Sequence, residues 1–285
     1  MVEHHLAKVR VAGSNPVVRS RSVVIPLVGV LVALAVVLAG CANAESPQPD
    51  VYVAAASDTR DAFTELAAEL KTSDQIEVEF VFGSSGMLRE QVLNGAPYDV
   101  YVSANTAFVD EIVESGFADR ANVRQYALGA LALISRDGVP LPASSVDGAA
   151  TSDSAGISSS LSASTRIVIA NPDHAPYGVA AREALESLGI YDEVEGRLIL
   201  AENVGDAVRV VEAGEADYGI VALALVLSRD HIMIDGDFHQ PIRQTAALTK
   251  RGESNQAART FFDALVSPKG IAVLERYGFV VKADS

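Results

Sequence analysis

Serine hydroxyls lie at points in this sequence where a strand pattern gives way to a helix pattern. The clearest case is Gly83-Ser84-Ser85-Gly86, between the strand pattern of residues 76–82 and a helical pattern that follows it. Either Ser84 or Ser85 can be the N-cap of that helix. Because a helix start carries unpaired N–H groups and about half a positive charge, a hydroxyl beside it makes an anion site without Lys or Arg. A simple cap without a ligand is the alternative for this stretch alone.

The same arrangement recurs at three other junctions. Ser57 separates an apolar strand pattern at residues 51–55 from a helical pattern at 58–71. Tyr177-Gly178 follows a turn with two prolines and opens a helix, and Val204-Gly205 precedes another. We therefore expect four helix starts to face one shared cleft and to hold an anion there.

The composition argues against several classes of function. The net charge of −15 makes nucleic acid an unsuitable partner, because phosphate binding needs a basic face. The single cysteine allows neither an internal disulfide nor a zinc site built on cysteines. The five histidines include no H-x-x-x-H pair, so the sequence indicates no metal cluster.

The N-terminal segment has the features of a lipoprotein signal. Arg19 and Arg21 precede an almost purely apolar run at residues 23–39, which is typical of a secretory signal peptide. The run ends in Leu38-Ala39-Gly40-Cys41, which resembles the bacterial lipobox, where the chain is cut before a cysteine that then carries lipid. We expect residues 1–40 to be the signal peptide, 41–50 a tether, and Cys41 the lipidation site. The protein would then be extracytoplasmic and lipid-anchored to the bacterial cell membrane; a transmembrane anchor is the alternative.

The remaining sequence alternates strand and helix patterns, which predicts an α/β fold with parallel sheets and helices on both faces. Apolar strands at residues 126–135 and 242–249 lie where the chain would cross between two groups of elements. Two such crossings make a hinge and a cleft between lobes. The predicted division is lobe I at residues 51–128 plus 243–285 and lobe II at 129–242, with a Ser/Ala-rich surface loop at 143–165.

Several blocks of this chain, in order, resemble the molybdate-binding proteins of bacterial ABC importers. The blocks are residues 54–57 (Ala-Ala-Ala-Ser), 82–91, 95–104, 171–178 (Asn-Pro-Asp-His-Ala-Pro-Tyr-Gly) and 275–279. The resemblance implies the two-lobed fold of type II periplasmic binding proteins, with the ligand held in the cleft. It also implies a monomer, without enzymatic activity or cofactor, that delivers molybdate or tungstate to the membrane subunit of an ABC permease.

The resemblance assigns ligand contacts residue by residue. Ser57 and Ser85 match the two serines whose hydroxyls hold the oxyanion in that family. Tyr177 and Val204 match positions that act through their backbone N–H groups. Molybdenum is expected only as the oxyanion, held by these same residues.

One departure from the family pattern lies in lobe II. The family has a tyrosine in the run Gly219-Ile220-Val221-Ala222, where this chain has Ala222. The ligand contact made by that tyrosine is either lost or supplied by Tyr177 or Tyr218. Tyr218 is an additional candidate for this reason. Ser84 and Gly178 are additional candidates because they adjoin the assigned residues Ser85 and Tyr177.

Three other functions stay open on the sequence. An enzyme would use Ser85, His174 and an Asp as a triad, but the stretch around Ser85 lacks the Gly-x-Ser-x-Gly pattern of a nucleophile elbow. A binding protein of this kind would also suit another anion, namely sulfate, phosphate or an organic anion. A degenerate lipoprotein with a role outside transport is the third.

Overall fold

The computed structural model describes residues 48–142 and 154–281. The predicted signal peptide, Cys41, most of the tether and residues 143–153 lie outside the described residues. Within the described ranges, no helix combines the length and the apolar character that crossing a membrane requires.

The strands of the described chain form two five-stranded sheets. They are β1 (Val51–Ala56), β2 (Val78–Gly83), β3 (Val100–Ser103), β4 (Ala118–Gly129), β5 (Leu131–Ser135), β6 (Ile167–Ala170), β7 (Leu198–Ala201), β8 (Tyr218–Ala222), β9 (Ile232–Met233) and β10 (Ile242–Thr249). The first sheet has the order β2-β1-β3-β10-β4 and the second β7-β6-β8-β5-β9. Strands β2, β1 and β3 pair in parallel in the first sheet, as do β7, β6 and β8 in the second. The strands next to the crossings pair antiparallel: β10 with β3 and β4, and β5 with β8 and β9.

Helices connect the strands and cover both faces of the first sheet. They are α1 (Arg60–Asp74), α2 (Ser85–Leu93), α3 (Thr106–Glu114), α4 (Ser154–Ala163), α5 (Pro176–Ser187), α6 (Tyr191–Val194), α7 (Val204–Glu212), α8 (Gln256–Ala264) and α9 (Pro268–Arg276). Phe63 of α1 and Phe261 of α8 meet edge to face at 5.6 Å within one core of the first sheet. Leu88 of α2 and Ile112 of α3 pack in a second core, on the opposite face of the first sheet.

The second sheet carries a core of its own. Its strands β5, β6 and β8 are buried along their whole length except Ser135, as expected for a sheet covered on both faces. Helices α5 and α7 contribute alanine and valine side chains to the same core. The α/β class and the two-lobed architecture predicted from the sequence are thus confirmed.

The chain crosses between the sheets near Ala130. The sequence predicts one strand over residues 126–135, whereas β4 ends at Gly129 in the first sheet and β5 begins at Leu131 in the second. The return crossing runs from β9 to β10. The C-terminal segment closes on the first crossing, where Leu128 and Val280 exchange backbone hydrogen bonds of 2.8 and 2.9 Å.

Part of the predicted Ser/Ala-rich loop is a helix. Residues 143–153 lie outside the described residues, but Ser154–Ala163 form α4. Ile157 and Leu161 are fully buried and join the core of the second sheet. The Ser/Ala-rich composition predicts a loop. Two apolar residues one helical turn apart are nevertheless enough to pack one face of α4 against the core of the second sheet.

Candidate anion-binding site

Four strand-to-helix junctions converge on one small cavity between the sheets. The cavity has a volume of about 10 Å³ and is lined by Ala56, Ser57, Asp58, Gly83, Ser84, Ser85, Ala104, Ala175, Pro176, Tyr177 and Val204. The starts of α2, α5 and α7 and of the 3₁₀ turn before α1 all contribute to this lining. No Lys or Arg side chain does so among the described residues. The cavity therefore offers neutral hydrogen-bond donors and helix N-termini, which suit an anion.

Ser57 spans the cleft between the two sheets. Its hydroxyl accepts a hydrogen bond from the amide of Gly205 at 3.3 Å, and only 2% of the residue is exposed. The sequence suggests an N-cap role, but the helix begins with the 3₁₀ turn Ser57–Thr59 and no side chain caps it. The Ser57 hydroxyl is thus directed across the cleft toward the start of α7.

Ser84 and Ser85 have different roles at the start of α2. Ser84 is the N-cap: its hydroxyl accepts from the amide of Met87 at 3.4 Å. The same hydroxyl is hydrogen-bonded to Nδ1 of His174, in lobe II, at 2.8 Å. Ser85 accepts from the amide of Ala104 at 3.1 Å and is buried in the cavity lining.

The start of α5 brings Tyr177 to the cavity. Pro176 occupies the first turn of the helix, where its missing N–H costs nothing. The amide of Gly178 donates to the carbonyl of Ala175 at 2.9 Å and is therefore already engaged. A Cβ at Gly178 would lie 2.1 Å from the carbonyl oxygen of Ala170, so this glycine lets α5 begin close against β6.

Val204 is the first residue of α7 and lines the cavity from lobe II. Asn203 caps the helix by accepting from the amide of Asp206 at 3.0 Å. The first amides of the helix are left to partners outside it, and Gly205 donates to Ser57. The structure thus brings together Ser57, Ser85, Tyr177 and Val204, the four assigned residues.

Tyr218 lies apart from these residues. Its hydroxyl donates to the carbonyl of Pro140 at 2.8 Å, and it starts β8, the strand that Ala222 ends. Ala222 is fully buried and pairs with Leu131 of β5. Neither Tyr218 nor Ala222 belongs to the described cavity lining.

A buried polar cluster lies beside the cavity, and the sequence does not reveal it. The side-chain amide of Gln244 donates to Oδ2 of Asp58 at 2.7 Å and to the hydroxyl of Tyr177 at 3.5 Å. Tyr126 donates to the Gln244 carbonyl at 3.3 Å. A Cβ on Gly129 would lie 2.1 Å from the Tyr177 hydroxyl, so the glycine makes room for the tyrosine at the crossing. This cluster joins lobe I, lobe II and both crossing strands.

Burial dominates the electrostatics of the cluster. Burial raises the pKa of Asp58 to about 7, and the nearby Tyr177 hydroxyl, the Asp58 backbone and the Gln244 amide offset only part of this effect. Burial also holds the pKa of Tyr177 well above its ordinary value, with the Asp58 charge acting in the same direction. Both tyrosines of the cluster are therefore neutral near pH 7, since burial raises the pKa of Tyr126 too.

Asp58 is hard to identify from the sequence because an acidic residue in the first turn of a helix is commonly an exposed partner of the helix dipole. Its distant partner Gln244 lies in a strand whose other residues are mostly apolar. The only sequence signal is position, since Asp58 directly follows Ser57. No group of His, Cys, Asp or Glu residues suited to a metal ion occurs in the described ranges.

Comparisons with known proteins agree with this geometry. Residues 51–280 match the family model described as bacterial extracellular solute-binding protein. The molybdate-binding protein ModA of Rhodobacter capsulatus is 30% identical over 82% of this chain and 89% of its own. ModA of Escherichia coli is 31% identical over 88% of this chain and 95% of its own. The solved structure of the Azotobacter vinelandii periplasmic molybdate-binding protein, 30% identical, superposes with a TM-score of 0.72 over 82% of this chain and all of that one.

Proposed function

The chain belongs to the family of bacterial extracellular solute-binding proteins, and on that premise we propose that it captures molybdate between its lobes and delivers it to an ABC permease. Tungstate, which nearly matches molybdate in size and charge, is bound in the same way. The observation that carries the proposal is the convergence of the Ser57 and Ser85 hydroxyls with the starts of α5 and α7 on one cavity. The family and the fold are those of solute-binding proteins and not of enzymes.

Neutral donors in fixed positions suit a fully deprotonated oxyanion. Molybdate presents four oxygens that only accept hydrogen bonds, and residues of both lobes line the cavity that we propose for it. A Lys or Arg would attract anions of many kinds, whereas fixed dipoles select by size and geometry. The net charge of −15 opposes long-range attraction of an anion, so these short-range donors must supply the affinity.

The test is calorimetric titration of the purified protein with molybdate, tungstate, sulfate and phosphate. We expect tight binding of molybdate and tungstate at one site per chain, with sulfate and phosphate much weaker. Preference for sulfate, phosphate or an organic anion would assign a different ligand to the same fold. No heat with any tetrahedral anion would favour a lipoprotein that no longer transports.

We also propose that the mature protein is a monomer tethered to the cell membrane through lipid on Cys41. The Leu38-Ala39-Gly40-Cys41 run supports this proposal. Radiolabelled palmitate should label the wild-type protein and not a Cys41→Ser variant. Unlabelled wild-type protein in the soluble extracytoplasmic fraction would contradict it.

A further inference from the structure

Asp58 places an acidic side chain in the lining of a cavity that binds an anion. The residue is 1% exposed, and no Lys, Arg or His forms an ion pair with it among the described residues. A buried carboxylate without a cation is costly unless it is protonated. The question is therefore where its proton lies and what that proton contacts.

The two oxygens of Asp58 are not equivalent. Oδ2 accepts the 2.7 Å hydrogen bond from the Gln244 amide. Oδ1 is buried and has no hydrogen-bond partner. In the neutral acid the proton therefore lies on Oδ1, because Oδ2 already accepts from Gln244. An Oδ1–H group would need an acceptor, and the cavity that Asp58 lines is where a bound oxyanion would supply one.

A doubly charged oxyanion in the same cavity would be repelled by an ionised Asp58, because like charges at short range in a low dielectric oppose one another strongly. The anion and the proton on Asp58 consequently favour each other's binding. Resting on the proposed function, we propose that Asp58 is a further contact of the bound anion, engaged as the neutral acid through Oδ1–H, so that each oxyanion binds together with one proton. The proton comes from solvent and stays on Oδ1 while the anion is bound.

The other titratable groups around Asp58 do not account for such coupling. Tyr126 on β4 and Tyr177 on α5 are neutral near pH 7 because burial raises the pKa of each. Arg60 at the start of α1 stacks on the ring of Phe82, 4.5 Å from its centroid. Asp206 at the start of α7 is held by Asn203 and Arg209.

His174 is a further titratable side chain at the cleft, because it contacts Ser84. It needs a control of its own. A His174→Gln variant keeps a polar side chain beside Ser84 and carries no charge at any pH, so it separates a contribution of His174 from that of Asp58.

The wild-type protein alone provides the primary test. Molybdate carries no proton near pH 7, so any proton taken up on binding goes to the protein. Titration at pH 6 and pH 8, each in two buffers of different ionisation enthalpy, measures that uptake. With burial raising the pKa of Asp58 to about 7 in the empty site, we expect uptake approaching one proton at pH 8 and about one-tenth at pH 6, and a Kd about tenfold weaker at pH 8.

Variants assign the proton to Asp58. Asp58→Asn is neutral at every pH and nearly isosteric, so its Kd should be the same at pH 6 and pH 8. His174→Gln should keep the roughly tenfold difference of the wild type. Molybdate binding without proton uptake, or a pH dependence that persists in Asp58→Asn, would overturn the inference and leave the proposed function intact. A wild-type protein that binds no tetrahedral anion at either pH would overturn both.

Discussion

The amide of Gly86, in lobe I, donates a hydrogen bond to the carbonyl oxygen of His174, in lobe II, at 2.9 Å. The approach is so close that a Cβ on Gly86 would lie 2.7 Å from that oxygen. Gly86 lies in the first turn of α2, beside the Ser84 cap that contacts the same histidine. The start of α2 is therefore one of the places where the two lobes meet beside the cavity.

Gly86→Ala should weaken anion binding without weakening the fold. Alanine suits a helix better than glycine, so stability in the absence of ligand should not fall. The added methyl opposes approach of the lobes at a cost of roughly 1–3 kcal/mol, or about 5- to 150-fold in Kd. Calorimetric titration with molybdate measures this loss. Gly196→Ala, whose Cβ would meet nothing within 4 Å, is the matched control and should bind as the wild type does.

Ser57→Ala should weaken molybdate binding by roughly 1.5–3 kcal/mol, the range for hydrogen bonds to charged groups. The substitution removes the hydroxyl that faces Gly205 across the cleft. Its stability without ligand should change little, because that amide can bind water once the lobes separate. Titration of Ser57→Ala beside Ser115→Ala, an exposed serine at the end of α3, provides the comparison. Wild-type affinity in Ser57→Ala would remove this residue from the site.

Ser85→Ala should weaken both binding and folding. Its hydroxyl accepts from the amide of Ala104 inside lobe I, so removal leaves a buried N–H group unpaired at a cost of about 1–3 kcal/mol in unfolding free energy. The loss in molybdate affinity should resemble that of Ser57→Ala. Urea unfolding without ligand measures the first effect and titration the second. A variant as stable as Ser57→Ala would show that another group or water pairs with Ala104.

The order of the elements follows from local sequence patterns because each element is bounded by its own residues. The strand at residues 242–249 has the bounds predicted for it, since Pro241 cannot extend the pairing and Lys250 returns the chain to solvent. The break at Ala130 was not predictable in this way. Apolar residues continue through it, and only the pairing of β4 with β10 and of β5 with β8 shows that the sheet changes there.

The parts of the site that lie at strand-to-helix junctions can be predicted from the sequence. The parts that depend on contacts between residues far apart in the chain cannot. Ser85 and Val204 are found because a hydroxyl or a helix start is visible in a few consecutive residues. The Asp58–Gln244 contact joins residues 186 positions apart, and neither shows a local sign of the other. Tyr177 is visible as a helix-start residue, but the direction of its hydroxyl toward Gln244 depends on the fold.

Ala222→Tyr tests the departure from the family pattern in lobe II. The sequence suggests that a tyrosine here would restore a ligand contact and tighten binding. Ala222 is fully buried in the core of the second sheet, so we now expect overpacking that lowers the unfolding free energy by roughly 1–3 kcal/mol, with no gain in affinity. Thermal unfolding and titration measure the two quantities. A stable variant that binds molybdate more tightly would show that the cleft has kept room for the tyrosine.

Asp58→Asn should change how stability depends on pH. Burial raises the pKa of Asp58 from 3.8 to about 7 in the folded protein. Between these values the folded state holds a proton that the unfolded state has released, so the unfolding free energy of the wild type falls as pH rises. The loss from this one group, complete above about pH 7, is on the order of 4 kcal/mol. Urea unfolding at pH 4.5 and pH 7.5 should show about 3 kcal/mol of this loss in the wild type and in Asp137→Asn, an exposed control, and not in Asp58→Asn. The other carboxylates titrate alike in all three proteins. If the unfolding free energies of the wild type and Asp58→Asn changed equally between the two pH values, Asp58 would release its proton as easily in the folded protein as in the unfolded chain.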